Sequence, residues 1–202
     1  MLISFEGIDG CGKTTQLHLL KERLLDEGYE VSDFREPGGT EVSEFIRSIL
    51  LNPEIEMHPV TELLLFSAAR SELIAQKVMP ELKKGHIVLL DRFYDSTVAY
   101  QGYGRKSLGI EEINKLNSIA SHRVKPDLTF YIRISLQEAR KRTSHQSKDR
   151  MEQSSETFFT SVIEGFETLV GNEDRFIALN ATHTKDQLHD MIWDHVSNYL
   201  EG

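Results

Sequence analysis

Residues 7–14 of the chain read Gly-Ile-Asp-Gly-Cys-Gly-Lys-Thr and match the phosphate-binding pattern G-x-x-x-x-G-K-[ST]. Residues 2–5, just before it, are rich in strand formers, and after it Leu17, Leu20 and Leu24 recur at the spacing of one helix face. Glycines let backbone N–H groups wrap around phosphates, and the N-terminus of the following helix adds partial positive charge. The sequence therefore predicts a strand, a phosphate-binding loop and a helix, the first unit of an α/β fold.

The same alternation of short strands and longer helices continues through the chain. Strands are predicted at residues 2–5, 31–34, 87–90, 128–134 and 176–179. One helix is predicted from the loop to Gly28, another from a Thr40 cap to about residue 51, and another from about residue 136 to a polar loop at 143–149. The other helices are predicted at about 60–84, 95–101, 110–122, 153–170 and 184–200. Strands that alternate with helices indicate a parallel sheet covered on both faces, with ligands at the carboxyl ends of the strands.

Length and composition exclude several classes of protein. A chain of 202 residues predicts one domain, residues 1–202. No apolar run exceeds four residues and acidic side chains follow closely on the N-terminus, so neither a membrane span nor a secretory signal is expected. The net charge of −9 disfavours nucleic acid as a partner. A single cysteine, Cys11, excludes an internal disulfide framework and fits a reducing cytoplasm.

The loop itself predicts an ATP site. Lys13 is expected to reach the β and γ phosphates, and the Thr14 hydroxyl to bind Mg²⁺. Asp9 is expected to turn away from the phosphates toward a substrate hydroxyl, an arginine or a Mg²⁺-bound water, unless it is a solvated loop residue. The residues of the predicted ATP-binding loop are Gly7, Ile8, Asp9, Gly10, Cys11, Gly12, Lys13, Thr14 and Thr15.

Two residues of this loop allow alternative interpretations. Thr15 is either a ligand of the nucleotide or an ordinary helix residue. Cys11 is either a reactive thiol beside Lys13, at the entrance of the helix, or a small packing residue that points into the sheet.

A second signature follows the apolar residues 87–90, where Asp91 and Arg92 stand at the tip of a predicted buried strand. Asp91 resembles a Walker B aspartate, and a charge such as Arg92 at this place needs a partner, for which a phosphate is suited. A guanine-reading N-K-x-D loop is not found, since residues 114–117 end in Asn117. Metal-ligand spacing among histidines and a G-x-S-x-G motif are also lacking, so a structural zinc site and a serine hydrolase are not indicated.

Five blocks of sequence closely resemble the thymidylate kinase family. They are FEGIDG at 5–10, REPGGT at 35–40, LFSAAR at 65–70, LLDRFYDSTVAYQ at 89–101 and DRMEQ at 149–153. The resemblance implies a P-loop nucleoside monophosphate kinase fold with a five-stranded parallel sheet, a mobile lid at about residues 141–152, and a homodimer. It also implies transfer of the ATP γ-phosphoryl group to dTMP with Mg²⁺, which gives dTDP for dTTP synthesis.

The resemblance also implies roles for individual residues. Phe66 would stack on thymine and Arg70, one helical turn away, would hydrogen-bond to it. Arg35 and Arg92 would hold the monophosphate, and Asp9 would lie near the sugar 3′-hydroxyl. The remaining contacts to base and sugar would come from Thr97, Tyr100 and Gln101, and the adenine-side loop would be Asn180, Ala181 and Thr182.

The lid is expected to carry a catalytic arginine, because Gly10 stands where some family members have an arginine in the loop. The candidates are Lys148, Arg142 on the adenine and phosphate side, and Arg150 near the transferred group. Ser144 and Gln146 occupy positions where bacterial lids often have arginines. Taken alone, this basic stretch also fits a solvated helix end. Lys13, Asp91 and Arg92 complete the predicted catalytic set, with Thr14 and Asp91 at the metal.

Two other functions remain as alternatives. One is a kinase for another nucleoside monophosphate or for a deoxynucleoside. The other is a nucleotide-dependent binding switch, which the acceptor-type pairs of Phe66 with Arg70 and Tyr100 with Gln101 disfavour.

Overall fold

Five parallel strands form one sheet in the computed structural model, which describes residues 1–145 and 147–202. Every neighbouring pair in the order β2-β3-β1-β4-β5 is parallel, which confirms the predicted sheet. The strands are β1 (Leu2–Glu6), β2 (Val31–Arg35), β3 (Ile87–Asp91), β4 (Leu128–Arg133) and β5 (Phe176–Asn180).

Helices connect the strands. In chain order they are α1 (Lys13–Asp26), α2 (Glu41–Leu51), α3 (Pro59–Leu73), α4 (Met79–Lys83), α5 (Tyr94–Thr97), α6 (Ile110–Ala120), α7 (Leu136–Arg142), α8 (Glu156–Asn172) and α9 (Lys185–Glu201). Thr40 caps α2 as predicted, since the Ser43 backbone N–H donates to Thr40 Oγ1 at 3.1 Å.

Two segments predicted as ordinary helix contain π-helical turns instead. Ile74–Val78 joins α3 to α4 within the predicted helix at 60–84, and Val98–Gly104 continues α5 beyond the predicted end at 101. In the first case Pro80 follows the turn and has no N–H to donate to the preceding turn, so the regular hydrogen-bond ladder is interrupted there.

The core lies on both faces of the sheet because successive strand residues point to opposite sides. On one face, Ile3 and Phe5 pack with α1 and α9, through Leu20 and Ile192. On the other face, the side chains of β1 and β3 that point to that side pack against the end of α3 and the π turn after it. Another cluster packs α8 over β4. Among the described residues, no helix is long and apolar enough to cross a membrane.

Strand register brings the predicted site residues to one edge of the sheet. Phe5 lies opposite Asp91, and Asp91 lies opposite Arg35 on the other side. The loops after β1, β2 and β3 therefore begin at the same level. The predicted lid, at about 141–152, begins at the end of α7 and precedes α8 in the chain; Gln146 within it lies outside the described residues.

Candidate active site

The phosphate-binding loop joins β1 to α1 as the motif predicts. Gly7 and Gly10 adopt φ of 137° and 83°, a region that favours glycine. A Cβ atom on Gly7 would stand 2.8 Å from the Ile132 carbonyl oxygen, and one on Gly10 would stand 2.9 Å from the Ala139 carbonyl oxygen of α7. Both glycines are needed because the loop passes close to backbone on its far side.

Lys13 and Asp9 lie together within the loop. Lys13 is 5% exposed; its Nζ donates to the Ile8 carbonyl oxygen at 3.2 Å and lies 3.8 Å from Asp9 Oδ1. Asp9 Oδ1 also accepts from Arg92 Nη2 at 2.7 Å, so an arginine is the partner it takes in this structure. Desolvation raises the pKa of Asp9, but the charges of Arg92 and Lys13 outweigh it and lower the pKa to about 2. Asp9 is therefore ionised at neutral pH.

Thr14 and Asp91 meet beside the loop, where the Thr14 hydroxyl donates to Asp91 Oδ2 at 2.5 Å. A hydroxyl and a carboxylate at this place suit Mg²⁺, which takes oxygen ligands and keeps waters or substrate phosphates in its other positions. Among the described residues, no group of three or more His, Cys, Asp or Glu side chains forms a protein cage for a metal. The donor set thus fits a metal that is held jointly with a nucleotide.

A cleft of about 300 Å³ opens in front of this edge of the sheet. It is lined by Lys13, Thr14 and Asp91 of the donor side and by every predicted acceptor residue. These are Asp9, Arg35, Phe66, Arg70, Arg92, Thr97, Tyr100 and Gln101. The structure therefore brings together, in one cavity, residues as far apart in the chain as Asp9 and Gln101, which are separated by 92 positions.

Arg70 is held rigidly at the wall of this cleft. Its Nε donates to Glu36 Oε2 at 2.8 Å, and its Nη1 donates to Asn117 Oδ1 at 3.2 Å. Both Arg70 and Glu36 are buried, and desolvation raises the pKa of Glu36 even though Arg70 opposes the shift. The sequence did not single out Glu36 as a site residue, because its partner is 34 positions away.

Positive charge gathers at the end of the cleft near β2. Arg35 pairs with Glu44 at 3.1 Å and is half exposed, while Arg47 donates to the Pro37 carbonyl oxygen at 2.7 Å. Desolvation, together with the charges of Arg35 and Arg92, lowers the pKa of Arg47. Such crowding of like charges favours a bound anion. Arg47 lines the cleft but was missed, since nothing in its sequence context distinguishes it from a helix-surface arginine.

Arg92 stands at the centre of a network behind the cleft. It has a φ of 71°, unusual outside glycine, and donates to the Gly7 carbonyl oxygen at 2.8 Å and to Ser96 Oγ at 3.1 Å. Ser96 in turn donates to the buried Glu6, which also accepts from the Phe93 N–H. Desolvation and nearby Asp95 raise the pKa of Glu6 to about 8.

Arg142 and the loop after β5 form the predicted donor side of the site. Arg142 Nη2 donates to the Ala181 carbonyl oxygen at 3.0 Å, and Nη1 lies 3.4 Å from the Gly10 carbonyl oxygen. Within the loop, the Thr182 N–H donates to Asn180 Oδ1 at 3.0 Å. Arg142 thus lies between the phosphate loop and the predicted adenine-side loop. Thr15 is exposed on α1, and its part in nucleotide binding stays a prediction.

Arg150 has a buried carboxylate as its partner in this structure: its Nη1 donates to Glu62 at 2.6 Å, and it is absent from the described residues that line the cleft. The physical reason is that Glu62 is buried and requires a positive partner. The expected place of Arg150 near the transferred phosphoryl group stays a prediction. Lys148 lines a smaller neighbouring cavity that also touches Asp9.

Two further residues have structural partners. Cys11 is 1% exposed and packs with Ile132 and Ala181, which supports the packing interpretation of this thiol. Arg133, at the end of β4, pairs with Glu167 of α8 at 2.6 Å.

The family model for thymidylate kinase matches residues 5–192 of the chain. The chain belongs to the thymidylate kinase family. A thymidylate kinase from Caldanaerobacter subterraneus subsp. tengcongensis is 46% identical over 201 residues, covering 99% of this chain and 96% of the relative. One from Prosthecochloris aestuarii is 43% identical over 203 residues, covering 95% and 91%.

Solved structures agree with the sequence relatives. The crystal structure of thymidylate kinase from Ehrlichia chaffeensis matches with a TM-score of 0.80 at 35% identity and covers 98% of each chain. The predicted family, the five-stranded kinase fold and the class of enzyme, an ATP-dependent phosphotransferase, are therefore confirmed. The roles of individual residues remain predictions.

Proposed function

We propose that this protein transfers the γ-phosphoryl group of ATP to dTMP and releases ADP and dTDP. The observation that carries the proposal is the single cleft in which acceptor-type residues face the phosphate-binding loop. Membership of the thymidylate kinase family supports dTMP as the acceptor. A kinase for another nucleoside monophosphate or for a deoxynucleoside, and a binding switch, are not favoured.

ATP binds on the side of the phosphate-binding loop. Its backbone N–H groups and Lys13 hold the β and γ phosphates, and the N-terminus of α1 adds partial positive charge. Arg142 and the loop at residues 180–182 border the adenine. Thr14 and Asp91 would hold Mg²⁺ together with the phosphates, and the bound ion would neutralise charge on the phosphate oxygens.

dTMP binds on the opposite side of the cleft. Phe66 stacks on the thymine, and Arg70 donates to a ring carbonyl oxygen from the orientation that Glu36 fixes. Thr97, Tyr100 and Gln101 contact the base and the sugar. Arg35 and Arg92 hold the monophosphate.

Catalysis then depends on placement and on charge. Arg92 and Lys13 bring positive charge to the two sides of the transferred group, which stabilises the charge of the transition state. The lid at about residues 141–152 excludes water when it closes. Arg142 holds it on the donor side and Arg150 on the acceptor side, and the contact of Arg142 with the Gly10 carbonyl oxygen supports Arg142 as the lid arginine.

The experiment that tests this function offers a panel of acceptors. Purified protein with ATP and Mg²⁺ is mixed separately with dTMP, dCMP, dGMP, UMP or thymidine, and both ADP and the phosphorylated product are measured. We expect rapid ADP formation with dTMP and an equal amount of dTDP. ADP release at the same rate without any acceptor would support the binding switch. Faster turnover of another acceptor would show that this acceptor, and not dTMP, is the preferred substrate.

We also propose that the protein acts as a homodimer through α2 and α3. Val42, Phe45 and Ile49 recur at the spacing of one face of α2 and are 49%, 67% and 41% exposed, and Leu64 on the adjoining α3 is 52% exposed. An exposed apolar face of this kind is typical of an interaction surface, here for a second copy. Sedimentation should show twice the chain mass for the wild type and the chain mass for Phe45→Glu. A wild type that sediments as a monomer at micromolar concentration would overturn the proposal.

The location proposed for the enzyme is the cytoplasm. Its one cysteine, Cys11, is a buried free thiol in the phosphate-binding loop, which suits a reducing compartment. Cell fractionation with an antibody to the chain tests this location.

A further inference from the structure

Glu62 of α3 is a buried carboxylate that joins three separate segments of the chain. It is 1% exposed, and its Oε1 accepts from Gln101 Nε2 at 2.9 Å and from Arg105 Nε at 3.2 Å. Its Oε2 accepts from Arg150 Nη1 at 2.6 Å. Glu62 does not line the acceptor cleft in the described part of the chain, so it acts only through these partners.

One partner is an acceptor-site residue. Gln101 is 2% exposed and lines the cleft. A glutamine amide has a donor end and an acceptor end, and the bond from Nε2 to Glu62 decides which end is free. Glu62 therefore sets the orientation of the amide that dTMP meets.

Another partner belongs to the lid. Besides its pair with Glu62, Arg150 donates through Nε to the Leu50 carbonyl oxygen at 2.7 Å, and its backbone N–H donates to the Leu51 carbonyl oxygen at 3.1 Å. The residues on either side of it, Asp149 and Met151, line the cleft. The position of Arg150 thus determines where this end of the lid lies above the acceptor.

Arg105 completes the cluster as a second guanidinium partner of Glu62. It donates to Ser154 Oγ at 3.1 Å and lies over the ring of Phe158, 4.3 Å from its centroid. Glu62 is thus shared between two guanidinium groups, with side-chain exposures of 23% for Arg105 and 12% for Arg150. If Arg150 is removed, Arg105 still compensates the buried carboxylate.

We propose that Glu62 is a positioning residue that couples recognition of the acceptor to placement of the lid. A change at the lid end of the cluster alters the hydrogen bond between Glu62 and Gln101, and a change at Gln101 alters the ion pair between Glu62 and Arg150. The inference rests on the proposed function, since it takes dTMP as the molecule that meets Gln101.

The test compares Arg150→Met, Glu62→Gln and the double variant with a matched control, Arg140→Met. Arg140 is an arginine near the lid whose pair with Glu156 is exposed. For each protein, kcat and KM for dTMP are measured, with rates normalised to active sites titrated by ATP binding. The Kd for ATP is measured without acceptor, and thermal unfolding reports on folding.

The expected result is a change on the acceptor side caused by a lid residue that does not touch the cleft. A hydrogen bond to a charged group contributes on the order of a tenfold change in an equilibrium. Arg150→Met should therefore raise the KM for dTMP and lower kcat, each by roughly threefold to tenfold, while the Kd for ATP stays within about twofold. Glu62→Gln should act in the same direction, and the double variant should not exceed it, because Glu62→Gln already removes the ion pair that Arg150→Met removes.

Three results would overturn the proposal. The first is an unchanged KM for dTMP in Arg150→Met, and the second is a fall in rate that vanishes after normalisation to active sites. The third is a change of kcat and KM for dTMP in Arg140→Met that equals the change in Arg150→Met. Arg150→Met keeps the charge of Glu62 paired, so it decides the question even where Glu62→Gln does not fold. The wild-type rate with dTMP is recorded in the same assays. If the wild type does not phosphorylate dTMP, the result contradicts the proposed function and not the coupling.

Discussion

The guanidinium of Arg92 lies 2.7 Å from the carboxylate of Asp9, although the two residues are 83 positions apart in the chain. Asp9 follows β1 and Arg92 follows β3, which are neighbours in the sheet. The ion pair therefore connects the phosphate-binding loop to the acceptor side of the cleft. It holds Arg92 beside the cleft in which we propose that the two substrates meet.

The first prediction concerns the charge of Asp9. Because the pKa of Asp9 is lowered to about 2, its carboxylate is charged throughout the range from pH 5 to pH 9. Asp9→Asn should lower kcat/KM for dTMP by about tenfold, the size expected for a lost hydrogen bond to a charged group, at every pH in that range. A wild-type to variant ratio that changes with pH would show that Asp9 titrates near neutrality.

The second prediction concerns Glu6 and stability. Its pKa is raised to about 8 in the folded protein from an ordinary value of 4.5, so between these pH values the folded state binds more protons than the unfolded state. The contribution of Glu6 to the free energy of unfolding therefore falls as pH rises from 5 to 8, by at most about 1.4 kcal/mol per pH unit.

Urea unfolding of the wild type and Glu6→Gln at several pH values checks this prediction. The variant should gain stability relative to the wild type as pH rises through this window. Glu111→Gln serves as the control, because Glu111 is exposed and pairs only with Lys115 in the described part of the chain. A stability difference that is constant with pH would contradict the raised pKa.

The third prediction concerns the donor side. Arg142 contacts the carbonyl oxygens of Gly10 and Ala181, so Arg142→Ala should raise the KM for ATP by about fivefold to tenfold and change the KM for dTMP little. Initial rates with each substrate varied in turn measure both constants. Unchanged ATP kinetics would remove Arg142 from the nucleotide site.

The fourth prediction concerns the accessibility of Cys11, which is 1% exposed. Iodoacetamide should not label the native protein, and mass spectrometry should show one adduct after unfolding in denaturant. Rapid labelling of the native protein with loss of activity, prevented by MgATP, would instead favour the reactive thiol.

The sequence was sufficient for the local features of the fold. The strands, the phosphate-binding loop and the cap at Thr40 depend on neighbouring residues, so pattern and spacing predicted them correctly. The π turn at Ile74–Val78 was not predicted, because its hydrophobic pattern is that of an ordinary helix and only Pro80 marks the interruption.

The partners of buried charges were beyond sequence reasoning. Glu36 with Arg70 and Glu62 with Arg150 are pairs formed between distant elements, and nothing in the local pattern of either residue shows which charge it meets. Arg150 is an example: the resemblance implied a role near the transferred phosphoryl group, which stays a prediction, and no sequence pattern indicated the buried carboxylate that its guanidinium meets.

The discrimination between dTMP and dCMP by Arg70 tests the central claim most directly. Arg70 donates hydrogen bonds, so it suits the carbonyl oxygen of thymine at the position where cytosine has an amino group. The wild type should show a kcat/KM for dTMP at least about fivefold above that for dCMP, since an unpaired buried donor costs roughly 1–3 kcal/mol. Arg70→Ala should reduce that ratio toward one through loss of activity on dTMP, with the KM for ATP nearly unchanged. Equal kcat/KM for the two acceptors in the wild type would contradict the account.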